Sequence, residues 1–141
     1  MKKLVAAAAL IMALLGSSAA CPADAQGAAN VRLVKRFIKE IDQAARSNDP
    51  HKEVRAVAER YMSADYIQHS RVIAPGREGY IQLLTQASPP PAPKNLAFFG
   101  EGEFVFWITQ TNPPGESGRP KLNFNVVRVV DGKLQEHWDS H

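Results

Sequence analysis

Residues 121–139 read KLNFNVVRVVDGKLQEHWD, two runs rich in Val, Phe, Leu and Trp on either side of Asp131-Gly132. Both residues of that dipeptide accept positive φ, so it closes a tight β-hairpin. With a two-residue turn, Val126 pairs with His137 and Phe124 with Asp139. Period-two alternation then sets Phe124, Val126, His137 and Asp139 on one face, and Asn125, Val127, Val129, Leu134, Glu136 and Trp138 on the other; a bulge would exchange the two faces. The first face is polar at one end and apolar below, as a pocket wall should be. The second is too apolar to stand bare in water and suits contact between two copies of the chain.

Upstream of this hairpin, residues 95–100 and Phe104–Thr111 are further strands, punctuated by turn residues. Earlier still the period changes. Over residues 30–47, apolar side chains fall at Val31, Val34, Phe37, Ile38, Ile41 and Ala45, which draws one stripe on a helix that Asn30 can cap. Asn48-Asp49-Pro50 breaks that pattern, and a second helix runs from about His51 through Met62, able to pair with the first as a hairpin. Residues 64–69 turn extended, and Pro75-Gly76 precedes a short third helix carrying Tyr80, Ile81, Leu83 and Leu84. Four prolines between 88 and 94 make an extended connector between helices and strands, and 113–120 is a longer loop. Helices first and strands afterwards predict an α+β domain in which a curved antiparallel sheet wraps around helices and leaves a concave mouth.

Residues 1–25 stand apart. Lys2 and Lys3, an apolar run over 4–15 and small residues over 16–20 have the layout of an export signal. Ala23-Asp24-Ala25 before Gln26 fits a cleavage site, whereas Ser18-Ala19-Ala20-Cys21 is a distant match to a lipoprotein box. Cleavage after Ala25 leaves residues 26–141 as a single domain, periplasmic or secreted. It also removes Cys21, the sole cysteine, so that domain must be held by its hydrophobic core. The apolar run is too short for a permanent membrane span. The formal charge of the whole chain is only +3, with Arg32, Lys35, Arg36 and Lys39 on one helix and the other cations dispersed, so nucleic acid is not an expected partner.

Two stretches, 61–84 with YIQHS and PGREGYIQLL, and 126–139 with VVRVVDGKLQEHWD, resemble the SnoaL-like polyketide cyclase family of the nuclear-transport-factor-2-like superfamily. In that family Tyr-Ile-Gln-His follows the second helix, Gly-Arg-Glu-Gly opens the third, and an Arg-x-x-Asp-Gly-Lys hairpin ends in Glu-His-Trp-Asp. Ser70-Arg71 departs from the His-Asn-Pro with which relatives often continue. The resemblance implies a cone-shaped barrel with the N-terminal helices packed in the concave face of the sheet. It also implies a pocket between the layers, a homodimer through the sheet's outer face, and no metal.

Within that frame His69, Asp139 and His137 are the candidate catalytic residues. His69 ends the YIQH segment, where an imidazole can act as general acid or base, or simply brace a loop. Asp139 in an apolar mouth is harder to ionise and can carry a proton at a carbon next to a carbonyl. Tyr66, Phe106, Phe124 and Val126 are the expected ligand contacts, Gln68 a structural polar residue, and Arg77-Glu78 a helix-start ion pair. His137, Asp139 and His141 alternate on one face in superficial likeness to a metal triad, but no metal is expected. No phosphate loop, zinc spacing or serine-nucleophile elbow occurs, so no cofactor is expected. The partner predicted is a small hydrophobic or carbonyl-containing molecule. The function is either a cofactor-independent acid-base lyase or isomerase, or a binding protein or dimeric scaffold of the same shape.

Overall fold

The computed structural model describes residues 24–86, 91–111 and 120–140. The expected leader up to residue 23, Pro89 and Pro90, most of the 113–120 loop and His141 lie outside them. Helix α1 spans Ala25–Ala45 and starts ahead of Asn30, because a different side chain caps it. Asp24 Oδ1 accepts from the Gln26 N–H at 3.0 Å, and the Asp24 carbonyl accepts from the Ala28 N–H at 3.0 Å. Asp24 Oδ2 accepts from the Gly102 N–H. Asn30, freed from capping, donates to the Gly102 carbonyl at 2.8 Å. Two side chains of the first helical turns thus hold one turn of the sheet. Gly27 and Gly100 meet there backbone to backbone, and a Cβ on Gly27 would lie 2.5 Å from the Gly100 carbonyl oxygen.

Helix α2, Pro50–Tyr61, has Pro at its start and an Asp49 cap on the Lys52 N–H at 3.2 Å. Its Val54, Val57 and Ala58 are buried in one core with Val34, Phe37 and Ile41 of α1. Glu40 joins the two helices by accepting from Arg60 and from the Tyr61 hydroxyl, each at 2.8 Å. Helix α3, Gly76–Leu84, docks through Glu78, which takes both terminal nitrogens of Arg55 at 2.8 Å. Glu78 therefore pairs across helices rather than locally with Arg77, whose guanidinium reaches the Met62 carbonyl at 3.4 Å.

The strands are β1 (Met62–Gln68), β2 (Lys94–Glu101), β3 (Phe104–Thr111), β4 (Lys121–Val130) and β5 (Lys133–Asp139), in the order β1-β5-β4-β3-β2. Strands β2 to β5 form an antiparallel meander. Strand β1 lies parallel to β5, so the sheet is mixed and not antiparallel throughout as expected. The chain leaves β1, crosses through α3 and re-enters the sheet at the far edge, and such a crossover allows the parallel pairing. The sheet is open, and its inner face carries Val105 and Val127, opposite one another and fully buried.

Asp131 and Gly132 both have positive φ, 49° and 72°, as the hairpin turn requires. Beyond it Val129 faces Leu134, but Arg128 faces Glu136, Val127 faces His137, Val126 faces Trp138 and Asn125 faces Asp139. Gln135 is an extra residue in β5, a bulge that separates the buried Leu134 and His137 by three positions instead of two. The pairs expected from an unbroken hairpin, Val126 with His137 and Phe124 with Asp139, are therefore corrected by one residue.

The N–H of Gly102, followed by that of Gly27, holds the Asp24 carboxyl below its ordinary range. A depressed folded pKa contributes stability that is present above the unfolded value and lost as pH falls through the folded one. In the full-length chain Asp24→Ala is accordingly expected to lower the urea midpoint at pH 7, with parent and variant converging as the pH drops below the usual aspartate range. A gap that stays constant down to the most acid pH would show that the carboxylate charge is not what ties α1 to the sheet.

Candidate functional site

A hollow of about 350 Å³ lies between the helices and the inner face of the sheet. Ile38, Lys39, Ile41, Asp42, Tyr80 and Leu84 form its helical wall, and Ile73, Pro91 and Pro93 its margin. Trp107, Thr109, Asn123, Asn125, His137 and Asp139 form its floor. The register explains this set. Phe98, Trp107, Asn125 and Asp139 make one row across β2 to β5, and Val105, Val127, His137 and Gln68 make the next. A wider depression of about 500 Å³ at the α1–α2 junction is lined by Glu40, Ser47, Asp49 and Glu53 among others, with no histidine or aromatic ring in its wall.

His137 is buried and gripped on both sides. Its Nδ1 lies 2.9 Å from Gln68 Oε1 and its Nε2 3.3 Å from Asn125 Oδ1. Gln68 Oε1 also accepts from the Ser70 N–H at 3.1 Å, which fixes the orientation of the amide. Nδ1 must therefore carry a hydrogen, an assignment made from the network. Nε2 is then the nitrogen at which a proton is gained or lost. Asn125 offers its oxygen to a protonated Nε2 and, with the amide turned over, an N–H to a bare one. The Trp107 ring sits 5.6 Å from the imidazole and stacks on Phe98.

Asp139 stands one strand period beyond His137 on the same face, and its Oδ2 is shielded from solvent. Asn123, next along the floor, accepts at Oδ1 from the Ser140 hydroxyl at 2.8 Å and the Ser140 N–H at 3.2 Å, which anchors the end of β5. Burial pushes the Tyr66 hydroxyl well above its ordinary range, with the charge of Asp139 adding to the effect. Burial likewise raises Tyr80 to about 12, helped by the charge of Asp42. Both phenols keep their hydrogens and can only act as neutral donors or acceptors.

Of the candidates drawn from the sequence, the structure brings Asp139 and His137 together in the hollow; Tyr66, an expected ligand contact, is buried with its hydroxyl 3.4 Å from Gln68 Nε2 and is not among the residues that line the hollow. His69 is outside. The parallel pairing sets Gln68 beside His137 and points residue 69 to the opposite face. There the His69 ring stacks on Trp138 at 5.1 Å and its Nε2 meets Glu136 Oε1 at 2.8 Å. Phe106, Phe124 and Val126, expected to wall the hollow, also stand on the outer face, where Phe106 is 45% and Phe124 55% exposed. The shift at Gln135 is the cause, because it puts Asn123, Asn125 and Val127 on the face of His137 and Asp139. Sequence reasoning missed Thr109, Asn123 and Asn125, and read Gln68 only as a structural polar residue, whereas it holds His137. Asn123 and Asn125 did leave a signal: two amides at strand period in a run of Val and Phe, a residue type that strands disfavour unless one face is polar.

The sequence matches no protein-family model, and no curated protein matches it. Solved structures do. A protein designated a SnoaL-like polyketide cyclase from Jannaschia sp. CCS1 aligns with a TM-score of 0.57 at 20% identity, over 84% of this chain and 88% of that one. An NTF2-like protein of unknown function from Mesorhizobium loti aligns with a TM-score of 0.60 at 16% identity, over 83% and 93%. A protein designated a ketosteroid isomerase from Kribbella flavida DSM 17836 aligns with a TM-score of 0.58 at 13% identity, over 81% and 78%. Likeness at such identities is likeness of fold.

Proposed function

From the SnoaL-like, NTF2-like α+β cone fold, we propose that this chain takes a small, mostly apolar carbonyl compound into its hollow and moves a proton on it without a cofactor, as an isomerase or lyase. The observation that carries this reading is the pairing of Asp139 and His137 on the floor of a hollow whose helical wall is mostly apolar. A carboxylate there can take a proton from the carbon next to a carbonyl, leaving an enolate. When His137 carries a proton on Nε2 as well as on Nδ1, that Nε2–H and the amide N–H of Asn125 can hold the charge that develops on oxygen. Return of the proton from Asp139 to a different carbon completes an isomerisation. The designations of two structural neighbours, a cyclase and an isomerase, are in keeping with such chemistry.

A second reading, a binding protein that leaves its ligand unchanged, is favoured by one specific feature. Both ring nitrogens of His137 are already engaged by amides, and the other histidine proposed as a proton carrier, His69, lies on the far side of the sheet. Proton–deuterium exchange at the α-carbons of small cyclic ketones and enones in D₂O, followed by NMR, separates the two. Enzyme-accelerated exchange that Asp139→Asn lowers by about 100-fold or more, with unchanged thermal unfolding, is expected. Ketones that bind without exchange would leave the carrier.

The outer face of the sheet supports a homodimer as part of the same proposal. Phe99, Phe106, Val126 and Trp138 form a row across four strands, with Ala97, Ile108 and Phe124 beside it. Phe99 is 62% exposed, and a face of this composition is stabilised by a second copy. Sedimentation should give twice the chain mass for the parent and a monomer for Phe106→Asp; a monomeric parent overturns the dimer.

Export to the periplasm or medium is also proposed, on the layout of residues 1–25. Cleavage after Ala25 would remove Asp24, the cap of α1 and its tie to Gly102, so N-terminal sequencing of the protein from its source also shows whether the exported chain keeps that tie. A shortened chain outside the cytoplasm is expected, and one that retains Met1 in the cytoplasm would refute export.

A further inference from the structure

The charges around the hollow narrow the ligand further. Besides His137 and the tyrosine Tyr80, its lining holds three ionisable side chains, Asp139 on the sheet and Lys39 and Asp42 on α1. Asp42 is already matched, since Arg46 donates to its Oδ1 from two nitrogens at 3.0 and 2.8 Å. Lys39 is exposed and makes no salt bridge among the described residues. It is also the last of four cations, Arg32, Lys35, Arg36 and Lys39, that fall at helical spacing on one face of α1 with no acidic residue between them. That face therefore leads to the mouth with a positive field, and ends in an ammonium group at the rim of a wall whose other members, apart from the Arg46-paired Asp42, are Ile38, Ile41, Tyr80 and Leu84.

The geometry points to an anionic ligand: a carboxylic acid on a small apolar body, its carboxylate held at the mouth by Lys39 and its body lying against Ile38, Tyr80, Leu84 and Trp107. This rests on the reading of the hollow as a ligand pocket. A neutral ketone of the same shape gains the apolar contacts alone, whereas the acid adds a charge-assisted hydrogen bond and is drawn in by the field of α1. Asp139, on the opposite layer, repels a carboxylate from the floor, so the two ends of the ligand are told apart. Lys39 thus acts as a specificity residue and takes no part in proton transfer.

Titration calorimetry of the full chain with two matched pairs tests this: naphthalene-2-carboxylate against naphthalene-2-carboxamide, and decanoate against decanamide. At low salt the acid of at least one pair is expected to bind about 10-fold more tightly than its amide. That preference should shrink in about 1 M NaCl. Lys39→Gln should remove it, and Lys39→Glu reverse it, read as the ratio of acid to amide affinity. Equal binding of acid and amide by the parent, or a preference that survives Lys39→Gln, overturns the assignment to Lys39 and leaves the pocket standing. If no member of either pair binds, the pocket reading falls and takes this inference with it.

Discussion

Strands β4 and β5 leave their turn with Val129 opposite Leu134, and Gln135 then shifts the pairing so that Val127 meets His137 and Asn125 meets Asp139. Because side chains alternate across a sheet, that one additional residue decides the company each group keeps. Without it His137 and Asp139 would share a face with Phe124 and Val126. With it they share a face with two asparagines and the buried Val127, and the aromatic residues turn outward. The chemistry of the hollow and the stickiness of the opposite surface are consequences of the same register.

Polar groups on the inner face of a small domain lower its stability unless each finds a partner. Here the partners come from three strands and a strand end. Gln68 of β1 holds His137 of β5, Asn125 of β4 approaches the other side of the ring, and Ser140 holds Asn123. Such a network positions its members more firmly than any one bond does, because shifting one amide leaves another buried group unmatched. Burying an amide and histidine set where Val and Leu would pack more cheaply is understandable if the hollow must recognise an oxygen or pass a proton. The wall opposite, from α1 and α3, is mostly apolar, with Lys39 and Asp42 as its charged members.

The placement of that wall depends on the far end of α1. Asp24 and Asn30 seize the turn between β2 and β3, and the Gly27–Gly100 approach lets helix and strand touch without side chains between them. The α1 axis is thereby registered against the sheet at one end, while its Ile38, Ile41 and Lys39 overhang the hollow farther along. On the other side of the sheet His69 stacks on Trp138 and bonds Glu136, which is also 3.4 Å from Arg128. This gives the outer face a polar margin beside its row of aromatics, the usual layout of a protein–protein contact.

Local patterning was enough for the elements. The bounds of Phe104–Thr111, Lys121–Val130 and Lys133–Asp139 were legible from alternation and from Asp131-Gly132, and the helices from their apolar stripes, since both signals depend on neighbours a few residues away. The start of α1 was not, because the contacts that favour Asp24 over Asn30 as cap include one to Gly102, distant in the chain. Asp139 and His137 were legible as inward groups, whereas His69, Phe106, Phe124 and Val126 were misplaced. Their faces depend on a bulge and on a parallel pairing between β1 and β5, and nothing local announces either. What the sequence by itself determined was which segments are helix, which are strand, and that helices would line one side of a sheet. Which polar groups look into the hollow was decided only by tertiary structure, because strand register is set by packing over the whole sheet and a slip of one residue leaves every local pattern intact while turning each side chain over.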